Sequence, residues 1–147
     1  MKIVVASDHG GFDMKNELKL HLDKRGFEVT DFGSFTPERA EYPEYGEKAA
    51  RAVASGAFDF GVLVCGTGCG ISLSANRVKG IRCCNCSEPV TARLSREHNN
   101  CNMVAIGGRI VGMETAIAIV DAFVTGVFET GGRHEQRVKM IESIDRN

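Results

Sequence analysis

Five short apolar runs alternate with longer stretches of helical spacing, and that alternation constrains the fold of this chain more than any other feature. The runs are residues 2–6, Phe27 to Phe32, 60–64, 81–86 and Met103 to Ile106. Gly61-Val62-Leu63-Val64 has no polar interruption and reads as a strand buried on both faces. Met14, Leu18 and Leu22 recur every four residues and mark a helix ending at Gly26. A helix from about Glu44 carries Tyr45, Ala49, Ala52 and Val53. Others are expected from Pro89 to His98, from Met113 to Phe128, and from about Gly132 to Ile144. Strands alternating with helices predict an α/β fold: a three-layer Rossmann-like sandwich, its five-stranded parallel sheet covered by helices on both faces. In such sheets ligands bind beyond the carboxyl ends of the strands, at a topological switch point. The loops there are residues 7–11, 65–70, 86–89 and 107–112. They carry Asp8, His9, Cys65, Thr67 and Arg109.

The third strand delivers a thiol directly into a glycine loop, Cys65-Gly66-Thr67-Gly68-Cys69-Gly70. Glycines at every second position let successive backbone N–H groups converge on one point. Such a nest attracts anions and favours a nearby thiolate. A base or nucleophile and an anion hole thus fall within six residues. The bland reading is a tight turn, with Cys65 as a small buried residue. A dinucleotide fingerprint is the other alternative. It requires G-x-G-x-x-G, then an acid about 20 positions on. Glu88 stands near that distance, but the glycine spacing is one residue short, and Ile71 to Arg77 leaves room only for a short helix.

The chain has 147 residues, the size of one domain with a true core, and residues 1–147 are read as a single unit. A net charge of -1 gives no general attraction to nucleic acid or membrane, and the absence of Trp removes base-stacking platforms. No apolar run is long enough to span a bilayer, and the first run is too short for a signal segment. A cytoplasmic protein is expected, with its six cysteines as thiols. Cys83 and Cys86 form a C-x-x-C, which can mean zinc. On a strand, however, positions three apart point to opposite faces, so structural thiols are the better reading. Cys69 and Cys101 have no partner by spacing.

Other candidates each have a plain alternative. Asp8 can be a turn or N-cap residue, while His9, beside two glycines, is placed to meet a ligand. His98 ends a helix, where a histidine caps the dipole, yet it also suits acid–base work. Arg133 and Arg137 share a helix face after Gly131-Gly132; they can be a solvated basic face or a phosphate clamp. The helix from Met113 to Phe128 is apolar nearly all round. That suits burial against a partner subunit, or an unusually deep helix within one domain.

In order along the chain, Ser7-Asp8-His9-Gly10-Gly11, Tyr42-Pro43, the run from Cys65 to Ser72, Ser95-Arg96-Glu97-His98-Asn99 and Gly131-Gly132-Arg133-His134 carry a resemblance. The sequence resembles the ribose-5-phosphate isomerase B family, within the wider RpiB/LacA/LacB sugar-phosphate isomerases. Galactose-6-phosphate isomerase subunits typically lack the His98-Asn99 pair and the Gly-Gly-Arg-His ending, so the pentose reaction is favoured. Allose or galactose 6-phosphate isomerisation, or a non-catalytic phosphosugar-binding module, are the alternatives. The resemblance implies a metal-free, cofactor-free enediolate mechanism. In it His98 opens the furanose with help from Asp8, and Cys65 moves the proton between carbons 2 and 1. Thr67 relays protons between oxygens, and the N–H groups of Gly66, Thr67, Gly68, Cys69 and Gly70 stabilise the enediolate. His9, Arg133 and Arg137 hold the phosphate, while Asn99 and Arg109 line the substrate. The family usually has another residue where Cys69 stands; the backbone N–H still supplies the hole. A homodimer or homotetramer with shared sites is implied.

Overall fold

The structure is a computed structural model that describes residues 1–144. Five parallel strands, β1 (Lys2–Ser7), β2 (Glu28–Asp31), β3 (Phe60–Cys65), β4 (Cys83–Asn85) and β5 (Met103–Gly107), form one sheet in the order β2-β1-β3-β5-β4. Six helices connect or follow them: α1 (Phe12–Lys24), α2 (Tyr42–Ala54), α3 (Cys69–Ala75), α4 (Pro89–Asn99), α5 (Met113–Thr125) and α6 (Arg133–Ile144). The fold is therefore Rossmann-like α/β, as the alternation of apolar runs predicts.

Side-chain alternation along the strands divides the core in two. Ile3, Val5, Val62, Val64, Val104 and Ile106 pack with α1, α4 and α5 on one face. Val4, Ala6, Leu63, Cys65, Met103 and Ala105 pack with α2 and α3 on the other. Cys83 belongs to the second cluster and Cys86 to the first. The C-x-x-C thus straddles the sheet, and among the described residues no group of three His, Cys, Asp or Glu side chains is arranged to hold a metal.

Three local readings change. The fourth strand shrinks from 81–86 to Cys83–Asn85, although the Cys86 N–H still donates to the Ala105 carbonyl at 2.9 Å. The helix expected from Glu44 begins at Tyr42, with Pro43 in its first turn, where a missing N–H costs nothing. The apolar girth of α5 is largely accounted for inside the chain. Ala116, Ile119, Val120, Phe123 and Val124 are buried, and Ile117 and Ala122 are half-buried against the same cluster. On its outer side, Asp121 takes His21 Nε2 at 2.7 Å and Arg25 Nη1 at 2.5 Å from α1. Among the described residues no helix is long and apolar enough to cross a membrane.

Candidate active site

The strand order sets the position of the site. From β1 the chain moves outward to β2, then returns past β1 to β3. The crevice between the carboxyl ends of β1 and β3 is the switch point. Residues 7–11 and 65–70 both open there. The Asp8 N–H donates to the Val64 carbonyl at 3.3 Å, and the loop after β5 closes the third side. The Gly108 N–H donates to Cys65 O at 2.8 Å and the Arg109 N–H to Gly66 O at 3.0 Å. The Arg109 side chain lies along Gly66, its Nη1 3.3 Å from where a Cβ would stand.

Cys65 is 4% exposed, while Thr67 above it is open to solvent. The loop turns back at Gly68, whose φ of +76° suits glycine. That turn directs the Gly68 N–H onto Cys65 Sγ at 3.2 Å. The Cys69 N–H reaches Thr67 Oγ1 at 3.3 Å. Two of the five amides expected to form an anion hole thus serve the thiol and the hydroxyl. That N–H fixes the sulfur at the mouth of the loop. Asp8 is buried, and its Oδ1 accepts the Gly10 N–H at 2.8 Å, so its turn-capping role is real. His9 is exposed, with Nδ1 3.3 Å from the Ala40 carbonyl.

The remaining predicted residues do not join this group within one chain. Helix α4 leaves the carboxyl end of β4 and descends the sheet, about 16 Å over its 11 residues. Its last turn lies at the amino ends of the strands. There Arg82, just before β4, donates through Nε to the carbonyls of Asn99 at 3.2 Å and Asn100 at 3.0 Å. His98 and Asn99 are therefore at the opposite end of the sheet from Cys65. Helix α6 starts beside them, and its His134 ring stacks on His98 with centroids 4.1 Å apart. Glu135 pairs with Lys139 and accepts the Gly131 N–H, while Arg133 and Arg137 stay exposed. Glu97, His98, Val127, Glu129 and His134 line a cavity of about 400 Å³. The predicted residues thus form two half-sites. Asp8, His9, the Cys65–Gly70 loop and Arg109 are at one end; His98, Asn99, Arg133 and Arg137 are at the other.

Glu88 is not a ribose ligand. It caps α4, accepting the N–H groups of Val90 and Thr91 at 2.6 Å each, and the Thr91 hydrogen bonds hold its carboxyl below the usual range. Helix α3 is only seven residues long, as the spacing predicts, so the dinucleotide alternative keeps its objection and loses its acidic residue.

Sequence reasoning left three neighbours of these half-sites without a role. Tyr42 packs its ring over Gly70, where a Cβ would meet ring carbons at 2.7 Å. Asn85 donates to the Thr67 carbonyl at 3.4 Å and fills the space behind Gly68. His134 stacks on His98. Tyr42 and His134 stood inside the quoted motifs, and Asn85 interrupted the three cysteines of the fourth apolar run; those were the available signals.

Comparison with known proteins shows the family. The profile of a family described as Ribose/Galactose Isomerase matches residues 3–141. The chain is 50% identical over 145 residues to ribose-5-phosphate isomerase B of Escherichia coli K12, covering 99% of this chain and 97% of that one. It superposes on the ribose-5-phosphate isomerase B of Clostridium thermocellum with a TM-score of 0.97 at 49% identity, covering 99% and 98% of the two chains. The Mycoplasma genitalium ribose-5-phosphate isomerase B, solved with bound ribulose-5-phosphate, gives 0.94 at 35% identity, covering 99% and 97%.

Proposed function

The chain belongs to the ribose/galactose isomerase family, and on that premise we infer that it is an aldose–ketose isomerase interconverting ribose 5-phosphate and ribulose 5-phosphate. The observation that carries this reading is the buried Cys65 thiol at the carboxyl end of β3, with the Gly68 N–H on its sulfur. Moving a proton between carbons 2 and 1 through an enediolate needs a base poised beside fixed donors, and this loop has both. Cys65 takes the proton from carbon 2 and returns it to carbon 1. Thr67 relays the hydroxyl proton between the two oxygens. Loop amides stabilise the charge that develops, where a single preorganised donor is worth about 3 kcal/mol.

Ribose 5-phosphate is mostly a closed furanose, so an acid–base group must open it first. We assign that step to His98, with Asp8 at the ring hydroxyls. The phosphate goes to His9, Arg133 and Arg137, and Asn99 and Arg109 line the sugar. Helix α4, about 16 Å long, carries His98 to the far end of the sheet from Cys65, so these roles call for two copies. The reading is therefore a homodimer, or a tetramer built from dimers, in which the His98 end of one protomer completes the Cys65 loop of the other. A two-fold axis makes two equivalent sites. Residues 1–147 act as one isomerase domain in the cytoplasm, where a reducing medium keeps Cys65 a thiol.

The test is turnover with EDTA present. The protein is incubated with ribose 5-phosphate and ribulose 5-phosphate is followed, then allose 6-phosphate and galactose 6-phosphate are tried. The highest kcat/KM is expected for the pentose. Preference for a hexose phosphate would move the chain to the six-carbon branch of its family, and no turnover of any would reduce it to a binding module.

A further inference from the structure

The fourth strand and the residue that follows it carry three thiols, Cys83, Cys84 and Cys86, that the isomerase reaction does not use. Cys84 and Cys86 are two apart, so they share a face of the sheet, and their sulfurs lie 3.4 Å from each other. Cys84 is half-buried and Cys86 is buried in the core under α4. Asn85 sits between them and points to the opposite face. There it donates to the Thr67 carbonyl, and its Oδ1 lies 2.3 Å from where a Cβ on Gly68 would stand. The pair is therefore one residue from the loop that holds Cys65.

We propose that Cys84 and Cys86 form a peroxide-sensitive dithiol, and that its closure to a disulfide slows the enzyme by displacing Asn85 from the Thr67–Gly68 turn. The reactive sulfur is Cys84. The hydrogen bond from Cys86 lowers its thiol to about 7, with Ser95 helping and burial opposing. The same hydrogen bond and burial push Cys86 well upward, which leaves it the proton-bearing partner.

The chemistry takes one equivalent of hydrogen peroxide. The Cys84 thiolate attacks one peroxide oxygen and the O–O bond breaks. The departing hydroxide takes up the former thiol proton as water, and Cys84 becomes a sulfenic acid. Cys86 sulfur then attacks Cys84 sulfur. The S–S bond forms, the S–O bond breaks, and the second hydroxide leaves as water with the Cys86 proton. Two thiols lose two electrons and one peroxide becomes two waters.

The bridge is strained, and the strain falls on Asn85. Strand geometry holds α-carbons two apart at about 6.6 Å, close to the upper limit of about 6.8 Å for a disulfide. Closing the bridge pulls these positions together and buckles the residue between them. A displacement near 1 Å at a catalytic loop is enough to slow catalysis by about tenfold or more.

The experiment treats the protein with hydrogen peroxide while ribose 5-phosphate protects Cys65, then alkylates free thiols with iodoacetamide and digests with trypsin. The peptide from Cys83 to Arg93 contains all three strand thiols, while Cys101 falls on the next cysteine-bearing peptide. One alkyl group, on Cys83, is expected where untreated protein carries it on all three. Activity should fall about tenfold or more and return with dithiothreitol. Cys84→Ala should keep its starting activity and resist peroxide; if it folds poorly, Cys86→Ala serves the same purpose. Full alkylation after peroxide, a bridge to Cys101, or a Cys84→Ala protein inactivated as fast as the parent would overturn the proposal. The alkylation pattern does not depend on catalysis, so it stands or falls apart from the isomerase reading.

Discussion

The imidazole rings of His98 and His134 lie 4.1 Å apart and 4° from parallel. This contact ties the last turn of α4 to the first turn of α6 and joins the acid–base candidate to the helix that carries Arg133 and Arg137. Desolvation comes first, then the charges of His98, Arg133 and Arg137; together they hold His134 below the ordinary value of 6.5. Acidification below 6.5 protonates this residue in the unfolded chain before the folded one, so folding loses stability as pH falls from there. A ring-proton NMR titration should show the His134 midpoint below 6.5, and His98→Asn should move it upward. A midpoint that does not respond to His98→Asn would mean the stacked pair is electrostatically independent.

Phosphate affinity should rest heavily on Arg137. A charged donor to a dianion contributes about 1.5–3 kcal/mol, so Arg137→Ala should raise KM for ribose 5-phosphate by roughly 10- to 100-fold with a smaller change in kcat. Inorganic phosphate should weaken as a competitive inhibitor in parallel. Unchanged kinetics would leave Arg133 and Arg137 as a solvated helix face.

Ring opening and proton transfer should separate at His98. Ribulose 5-phosphate has its 5-oxygen esterified and cannot close a furanose, so proton abstraction from it requires no ring chemistry. His98→Asn should therefore retain solvent-deuterium exchange into ribulose 5-phosphate while losing most turnover of the cyclic aldose. Loss of exchange as well would give His98 a part in the proton transfer itself.

Much of this was legible because the relevant signals are local. Strands β1, β3 and β5 are buried on both faces and read as unbroken apolar runs, and the glycines around Thr67 announce a turn without help from distant residues. The shortening of β4 was not legible. Arg82 leaves the strand because its side chain is drawn to the carbonyls of Asn99 and Asn100, residues far along the chain. The stacking of His98 on His134 has the same character, since β5, α5 and three loops intervene. Least legible of all was the separation of the candidate residues into two groups. Each candidate could be found from its own neighbourhood, but only the direction of α4 puts His98 and Cys65 at opposite ends of the sheet. The girth of α5, which suggested a partner, is largely matched by contacts within the chain. The case for a second copy rests instead on the separation of the half-sites.

Cys65→Ala should fold, keep its oligomeric state and bind sugar phosphate, yet lose proton exchange by several orders of magnitude. In the parent, iodoacetamide should inactivate with a single critical alkylation, mapped to Cys65 by mass spectrometry and prevented by substrate. A Cys65→Ala protein with near-normal turnover would leave the loop as an anion hole only.

The two lesions together test the shared site directly. Cys65→Ala and His98→Asn proteins are each expected to be nearly inactive. Suppose they are mixed, unfolded mildly and allowed to reassemble at random. Half of the dimers then pair one of each. In such a dimer one site combines both defects, while the other combines the intact Cys65 of one protomer with the intact His98 of its partner. One restored site in half of the dimers gives roughly one quarter of parental activity. Co-expression with two different affinity tags, and purification of the doubly tagged species, should raise this to about one half per dimer by the same symmetry argument. A site contained in one protomer predicts no recovery in either preparation, because every Cys65→Ala chain would carry its own dead site and every His98→Asn chain likewise. Recovery near one quarter would therefore place the two half-sites on different subunits, and its absence would confine Cys65 and His98 to the site of one protomer.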